Sequence, residues 1–292
     1  MRQAVFYLFW FLLLPGCASQ PLFTSGELAE LPVQRASING VELGYRIIGQ
    51  GSPLLMIMGY AGTMDIWDAE MLSELSKKHR LIIYDHRGTG YSTIDESKLT
   101  ISQMMLDAVG LLDALAIPKA DVMGWSMGSI IAQEMVLAYP DRVRKVVLYS
   151  TAVDMEPVKK ALDSMGALQQ GEFIKKLFPE KWKELHPDIY FRLPGSADVS
   201  TDVIMRQYGA IIGWKGIRER LKEIDNSVLF LVGEEDRVTP VSQSLTAASL
   251  ISGAWIARFK AADHWLMYQA PKEIATTVNF FLSTEQNLLF VK

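Results

Sequence analysis

The chain is built on a rhythm that few folds can absorb: short, wholly apolar runs separated by longer segments whose apolar residues fall three and four apart. The runs Leu54–Met58, Leu81–Tyr84, Val122–Trp125 and Val146–Tyr149 contain no charged residue. A strand that faces water on one side alternates apolar with polar positions, so these runs belong to strands covered on both faces. Segments 64–78, 101–116 and 129–139 have the spacing of amphipathic helices. Strand and helix in alternation give an α/β architecture, a mostly parallel sheet flanked by helices. The rhythm resumes at Val228–Val232 and Trp255–Phe259, with helical spacing over 241–251 and 271–282. Ahead of it, Ser37–Leu43 sets Asn39-Gly40 between alternating apolar positions, which predicts a hairpin of two antiparallel edge strands. The count is roughly eight strands, a common size for one sheet.

Residues 153–224 break the rhythm. They lack short buried runs, carry nearly balanced charge, and are divided by Pro157, Pro179, Pro187 and Pro194 into pieces of helical character. We read them as a mainly helical cap inserted between two strands of a core made of 37–152 and 225–292. A separate domain starting at 153 would not return to strand and helix after 225. With 292 residues and 49% hydrophobic content, the chain can bury such a core. Its 29 basic and 33 acidic residues give a net charge of −4 and form no basic stripe, which argues against nucleic acid as a partner. The single cysteine, Cys17, excludes an internal disulfide and a cysteine-built zinc site. His79, His86, His186 and His264 have no paired spacing that would hold a metal.

Gly124-Trp125-Ser126-Met127-Gly128 lies where a strand run passes into a helical one. A serine at such a turn is held in a strained conformation that exposes its hydroxyl, and small residues two before and two after let strand and helix approach. A serine hydroxyl is a poor nucleophile near neutrality, so it needs a base to take its proton and a carboxylate to orient that base. Later apolar runs are followed by Glu234, Glu235 and Asp236, and then by His264. On the residues alone, any of the three carboxylates could orient the histidine, or all three could form a solvated turn. An oxyanion formed by attack at Ser126 would meet the N–H of Met127, where unpaired amides and the positive end of the helix dipole coincide.

Gly124–Gly128, the stretch Asp85–Ser92, Leu231–Pro240 and Ala261–His264 together resemble the α/β-hydrolase fold family, over residues 37–282. The resemblance implies Ser126 as nucleophile, Asp236 as acid and His264 as base. It implies the backbone N–H of Tyr60 as the second oxyanion donor, in a loop where the family usually has His-Gly-x and this chain has Met58-Gly59-Tyr60. The Asp85–Ser92 loop is implied to support the site, with His86 holding it by a hydrogen bond. Ala262-Asp263 stands where the family often has a glycine before the base, and Asp263 is read as a surface turn residue. Met58, Met127, Met155, Met267, Trp125 and Trp265 are available to line an acyl pocket or to pack the core. Trp182, Tyr190, Phe191, Tyr208 and Trp214 are likewise available to grip substrate or to fill the cap.

The activity so implied is that of a serine hydrolase acting on a carboxylic ester or related small acyl compound, through an acyl-enzyme, with neither cofactor nor metal. The same scaffold also cleaves amides and peptide ends, opens lactones, hydrolyses carbon–carbon bonds and runs cofactor-free peroxidation. A non-catalytic surface-anchored binding protein is the alternative from another class. Haloalkane dehalogenases and epoxide hydrolases would need an aspartate where Ser126 stands. Oligomeric state is unreadable from the sequence.

The first residues carry a different message. Arg2, the apolar stretch Ala4–Leu14 and then Pro15-Gly16-Cys17 have the layout of a secretory signal. The stretch is about half the length that a membrane-spanning helix needs. Leu14–Cys17 resembles the lipobox of bacterial lipoproteins, which implies a signal peptide over 1–16, acyl chains on Cys17, and a spacer over 17–36 between a membrane and the domain. Ala18-Ser19 after the cysteine implies the periplasmic side of the outer membrane in a Gram-negative cell. An ordinary signal peptide cut after Ala18 is the alternative.

Overall fold

The computed structural model describes residues 24–165, 176–188 and 199–285. Cys17, the signal segment, Tyr190 and Phe191 lie outside them. All the expected strands form: β1 (Gln34–Ile38), β2 (Val41–Ile48), β3 (Ser52–Ile57), β4 (His79–Tyr84), β5 (Ala120–Trp125), β6 (Val143–Tyr149), β7 (Ser227–Gly233) and β8 (Trp255–Phe259). They make one sheet in the order β1-β2-β4-β3-β5-β6-β7-β8, antiparallel only where β2 meets β1 and β4. At the hairpin tip Asn39 and Gly40 both have positive φ, 48° and 82°, as a type I′ turn requires. The apolar runs fill the centre of the sheet, and every residue of β5 is buried.

Helices cover both faces: α1 (Ser25–Glu30), α2 (Ala69–Ser76), α3 (Ile101–Ala114), α4 (Met127–Ala138), α5 (Met155–Met165), α6 (Glu180–Leu185), α7 (Thr201–Gly213), α8 (Val241–Leu250), α9 (Leu266–Gln269) and α10 (Pro271–Ser283). The helix expected over 64–78 is divided. Met64–Ile66 form a single 3-10 turn, and α2 starts afresh at Ala69 with the Asp68 carboxylate accepting the N–H of Met71 at 2.8 Å. Met64, Ile66, Trp67 and Ala69 are all buried, which is more of the circumference than one face of a helix can turn inward.

Residues 24–36, expected as spacer, pack on the core instead. Thr24 and Glu27 close a capping box on α1, and Leu28 is fully buried. The cause is Arg46, which is itself buried and must find acceptors for its donors. Its Nε donates to Leu31 O at 2.9 Å and its Nη2 to Ala29 O at 3.0 Å, while Nη1 pairs with Asp65. A spacer would therefore end before residue 24.

Between β6 and β7 the chain leaves the sheet through α5, α6, α7 and a 3-10 turn at Arg218–Glu223, with no strand among the described residues. The two ends of this excursion are tied together. The N–H of Ile217 donates to Val153 O at 3.2 Å, and Arg218 Nε donates to Asp154 at 2.9 Å. From α8, the buried Gln243 accepts the N–H groups of Val153 and Asp154 at 3.1 and 3.0 Å.

Candidate active site

Ser126 stands at the turn from β5 into α4 with φ 54° and ψ −119°, a conformation that a residue with a side chain holds only under restraint. Its N–H donates to Tyr149 O at 3.0 Å, and its carbonyl accepts the N–H of Ser129 at 2.9 Å and the Ser129 hydroxyl at 2.6 Å. The flanking glycines are required by contact. A Cβ on Gly124 would run into the carbonyl of Gly128, and one on Gly128 into the carbonyls of Ile57 and Met58.

His264, in the loop after β8, brings Nε2 to 2.9 Å from Ser126 Oγ and Nδ1 to 3.0 Å from both carboxylate oxygens of Asp236. A carboxylate only accepts, so Nδ1 carries the proton and Nε2 presents a lone pair to the serine. Asp236 also accepts the N–H groups of Val238 and Thr239 at 2.9 and 2.8 Å and the Thr239 hydroxyl at 2.9 Å. Burial pushes this carboxyl up, but the facing His264 and the hydrogen bonds outweigh burial and hold it below the usual carboxylate range. The other two candidate carboxylates point elsewhere, with Glu234 paired to Arg258 at 3.1 Å and Glu235 exposed. The carbonyl of His264 is gripped from β5 and β6, by Trp125 Nε1 at 3.1 Å and the Tyr149 hydroxyl at 3.2 Å.

The loop carrying Tyr60 lies against the nucleophile, since a Cβ on Gly59 would come within 3.2 Å of Ser126 Cβ. His86 Nε2 donates to Met58 O at 2.9 Å, and burial depresses the pKa of this imidazole. Asp85 ties the same region together by accepting the N–H of Met64 at 2.7 Å and of Tyr91 at 2.8 Å, and burial pushes its carboxyl up to about 6. Among the described residues, no acceptor takes the N–H of Tyr60 or of Met127. Met127 opens α4, where helix geometry leaves that group without an internal partner.

Asp263, expected at a surface turn, is fully buried. It accepts the N–H of His264 at 2.7 Å and of Arg237 at 3.1 Å, and the Nε of Arg237 at 2.6 Å, joining the loop of the histidine to the loop of Asp236. The sequence reading also passes over Gln207, a buried residue of α7 whose side chain reaches the Tyr60 loop. Met58, Met127, Met267, Trp125 and Trp265 are buried in the main core, with Met155 packed at its edge. In the cap, Trp182 stacks on Phe178 at 5.0 Å, and Phe178 lies 6.3 Å from Trp265. Tyr208 is half-buried, and Trp214 Nε1 donates to Glu134 at 2.6 Å. Among the described residues no His, Cys, Asp and Glu side chains gather to hold a metal ion, and no helix is long and apolar enough to cross a membrane.

Eight strands in this order, a serine on the turn into the helix after β5 and its histidine after β8 define the α/β-hydrolase fold, and the chain has that fold. Residues 52–185 match the family profile described as alpha/beta hydrolase fold. The 2-hydroxymuconate semialdehyde hydrolase of Pseudomonas sp. strain CF600 is 27% identical over 258 residues, 84% of this chain and 91% of that protein. The putative carbamate hydrolase RutD of Azorhizobium caulinodans is 29% identical over 241 residues, 76% of this chain and 88% of that protein. The enol-lactonase from Burkholderia xenovorans LB400 superposes with a TM-score of 0.77 at 24% identity, covering 86% of this chain and 100% of that one, a likeness of fold. These relatives are hydrolases, and the chain stands with them as a hydrolase on this fold.

Proposed function

We propose that the protein is a serine hydrolase that cleaves a carboxylic ester through an acyl-enzyme. One observation carries this reading: the continuous row from Asp236 through His264 to Ser126, with links of 3.0 and 2.9 Å. Ser126 Oγ attacks the carbonyl carbon as His264 Nε2 takes its proton. Negative charge moves to the carbonyl oxygen, where the N–H groups of Met127 and Tyr60 receive it, each such donor contributing about 2.7–4 kcal/mol to the transition state. Asp236 fixes the imidazole tautomer and stabilises the imidazolium. His264 then protonates the leaving alkoxide, and water repeats the cycle to release the acid. In this reading the cap, residues 153–224, selects the substrate. Mass spectrometry after fluorophosphonate treatment tests the reading: rapid modification of Ser126, absent from Ser126→Ala, is expected. Folded protein that stays unmodified would instead favour a binding protein.

The names of the relatives support a second reading, in which the same row opens a lactone, a carbamate or a carbon–carbon bond. Ranking ester, lactone, carbamate and vinylogous diketone substrates by kcat/KM separates the two.

For the N-terminal segment, we propose export and acylation at Cys17, supported by Arg2, the apolar stretch 4–14 and the Leu14–Cys17 ending. Radiolabelled palmitate should enter the full chain in a Gram-negative host and be lost in Cys17→Ala. A soluble, unlabelled product would overturn this.

A further inference from the structure

We propose that Gln207, on cap helix α7, is a positioning residue for the oxyanion loop, so that the cap sets the geometry of catalysis as well as the choice of substrate. The inference rests on the serine-hydrolase reading above. Gln207 Oε1 accepts the N–H of Ala61 at 2.8 Å. Ala61 directly follows Tyr60, and the two N–H groups belong to successive rigid peptide planes that share the Tyr60 Cα, so fixing the second plane anchors one end of the first. Ala61 has φ 55°, in the left-handed region that an alanine enters only under strain. A single bond from the cap therefore holds a strained residue beside the amide that must aim at the developing charge.

Two further observations point the same way. Gln207 is fully buried, and its Nε2 has no hydrogen-bond partner among the described residues. An orphaned buried donor is destabilising, a penalty that an apolar side chain of the same length would avoid. The feature that an amide adds here is the bond from Oε1 to Ala61. The helix that carries Gln207 is also fixed to the parts of the core that surround the site. Arg206 donates to the carbonyls of Asp95, at 2.9 Å, and of Ser97. Val203 packs on Gly88, where an added Cβ would lie 2.8 Å from its Cγ2. Just past the end of α7, Trp214 donates to Glu134 of α4, the helix that opens with Met127. The placement of α7 is thereby transmitted to Ala61.

The test compares Gln207→Met, which removes the acceptor at similar length, with Gln207→Glu, which keeps an oxygen facing Ala61. Both are assayed on 4-nitrophenyl acetate, with thermal midpoints and pH–rate profiles recorded. In Gln207→Met, kcat should fall by about 10- to 100-fold, less than the roughly 10²–10³ for deleting a donor outright. KM and the shape of the pH profile should stay as in the wild type, and Gln207→Glu should recover most of the loss. Wild-type kcat in folded Gln207→Met would overturn the proposal. So would a raised KM at unchanged kcat, which would make Gln207 a ground-state contact through Nε2, or a Gln207→Glu variant as slow as Gln207→Met. Wild-type protein that neither turns over the ester nor is modified at Ser126 would remove the serine-hydrolase reading first and this inference with it. Active wild type with an unaffected Gln207→Met variant would remove this inference alone.

Discussion

Asp236 has to be buried and charged at once, and the structure meets both demands by surrounding its carboxylate with donors. Asparagine would fill the same space but would turn an N–H toward Nδ1 and favour the wrong tautomer. On the proposed mechanism, Asp236→Asn should therefore lower kcat by about 10⁴ with little change in KM, measured on the best substrate found in the kcat/KM ranking. Asp68 is the opposite case: burial raises its carboxyl to about 6 in the folded protein. Its proton stabilises the fold below about pH 4, and this contribution is lost as pH rises through about 6. Asparagine caps helices as well as aspartate does. Asp68→Asn should thus raise the denaturation midpoint at neutral pH and flatten its decline between about pH 4 and 7, and urea titrations across that range would read both effects. Single residues were the least legible part of the chain. Ser126 could be nominated from Gly124–Gly128 at the end of an apolar run, and His264 and Asp236 from their order after later runs together with the family resemblance, whereas Asp263 and Gln207 face partners 26 and 146 positions away, with no local pattern to mark them.

Elements were more legible, because hydrophobic period is a local property. Each strand ended within a few residues of its apolar run, and Asn39-Gly40 fixed the hairpin. The errors came where packing in three dimensions overrode the pattern, at Trp67, which interrupts a helix by turning inward, and at Leu28, which has no long apolar run around it yet finds a place in the core with Leu31 and Val33 packed beside it. Helix α4 lies so near the end of β3 that a Cβ added to Gly128 would run into the carbonyls of Ile57 and Met58. Gly128→Ala should cost at least the about 1–3 kcal/mol of ordinary overpacking, because backbone rather than a flexible side chain must yield. Loss of soluble protein, or a clear fall in thermal midpoint, is the expected result.

At the scale of the whole molecule, the N-terminal segment belongs to the folded unit from residue 24 onward. The full chain and a chain starting at residue 24 serve as references. One starting at 33 should lose about 2–4 kcal/mol, since two acceptors of the buried Arg46 go with the missing segment. Urea denaturation of the three chains decides it. Strand runs and the break in their rhythm made the sheet and the excursion between β6 and β7 legible but not how that excursion is closed at its base, because the Ile217–Val153 and Arg218–Asp154 contacts bring together residues 64 positions apart.

That closure sits on two parallel neighbours, with Tyr149 of β6 beside Leu231 of β7. Parallel strands cannot be joined by a tight turn, so some crossover of at least about a dozen residues must always run between them. Above that floor, chain entropy charges only about 0.6 kcal/mol for each doubling of length. Growing from a bare crossover to the present stretch of 150–226 would therefore cost about 1.5 kcal/mol. The region proposed to choose the substrate is thus open to extensive rewriting over evolutionary time, down to the bare crossover that can never be dispensed with.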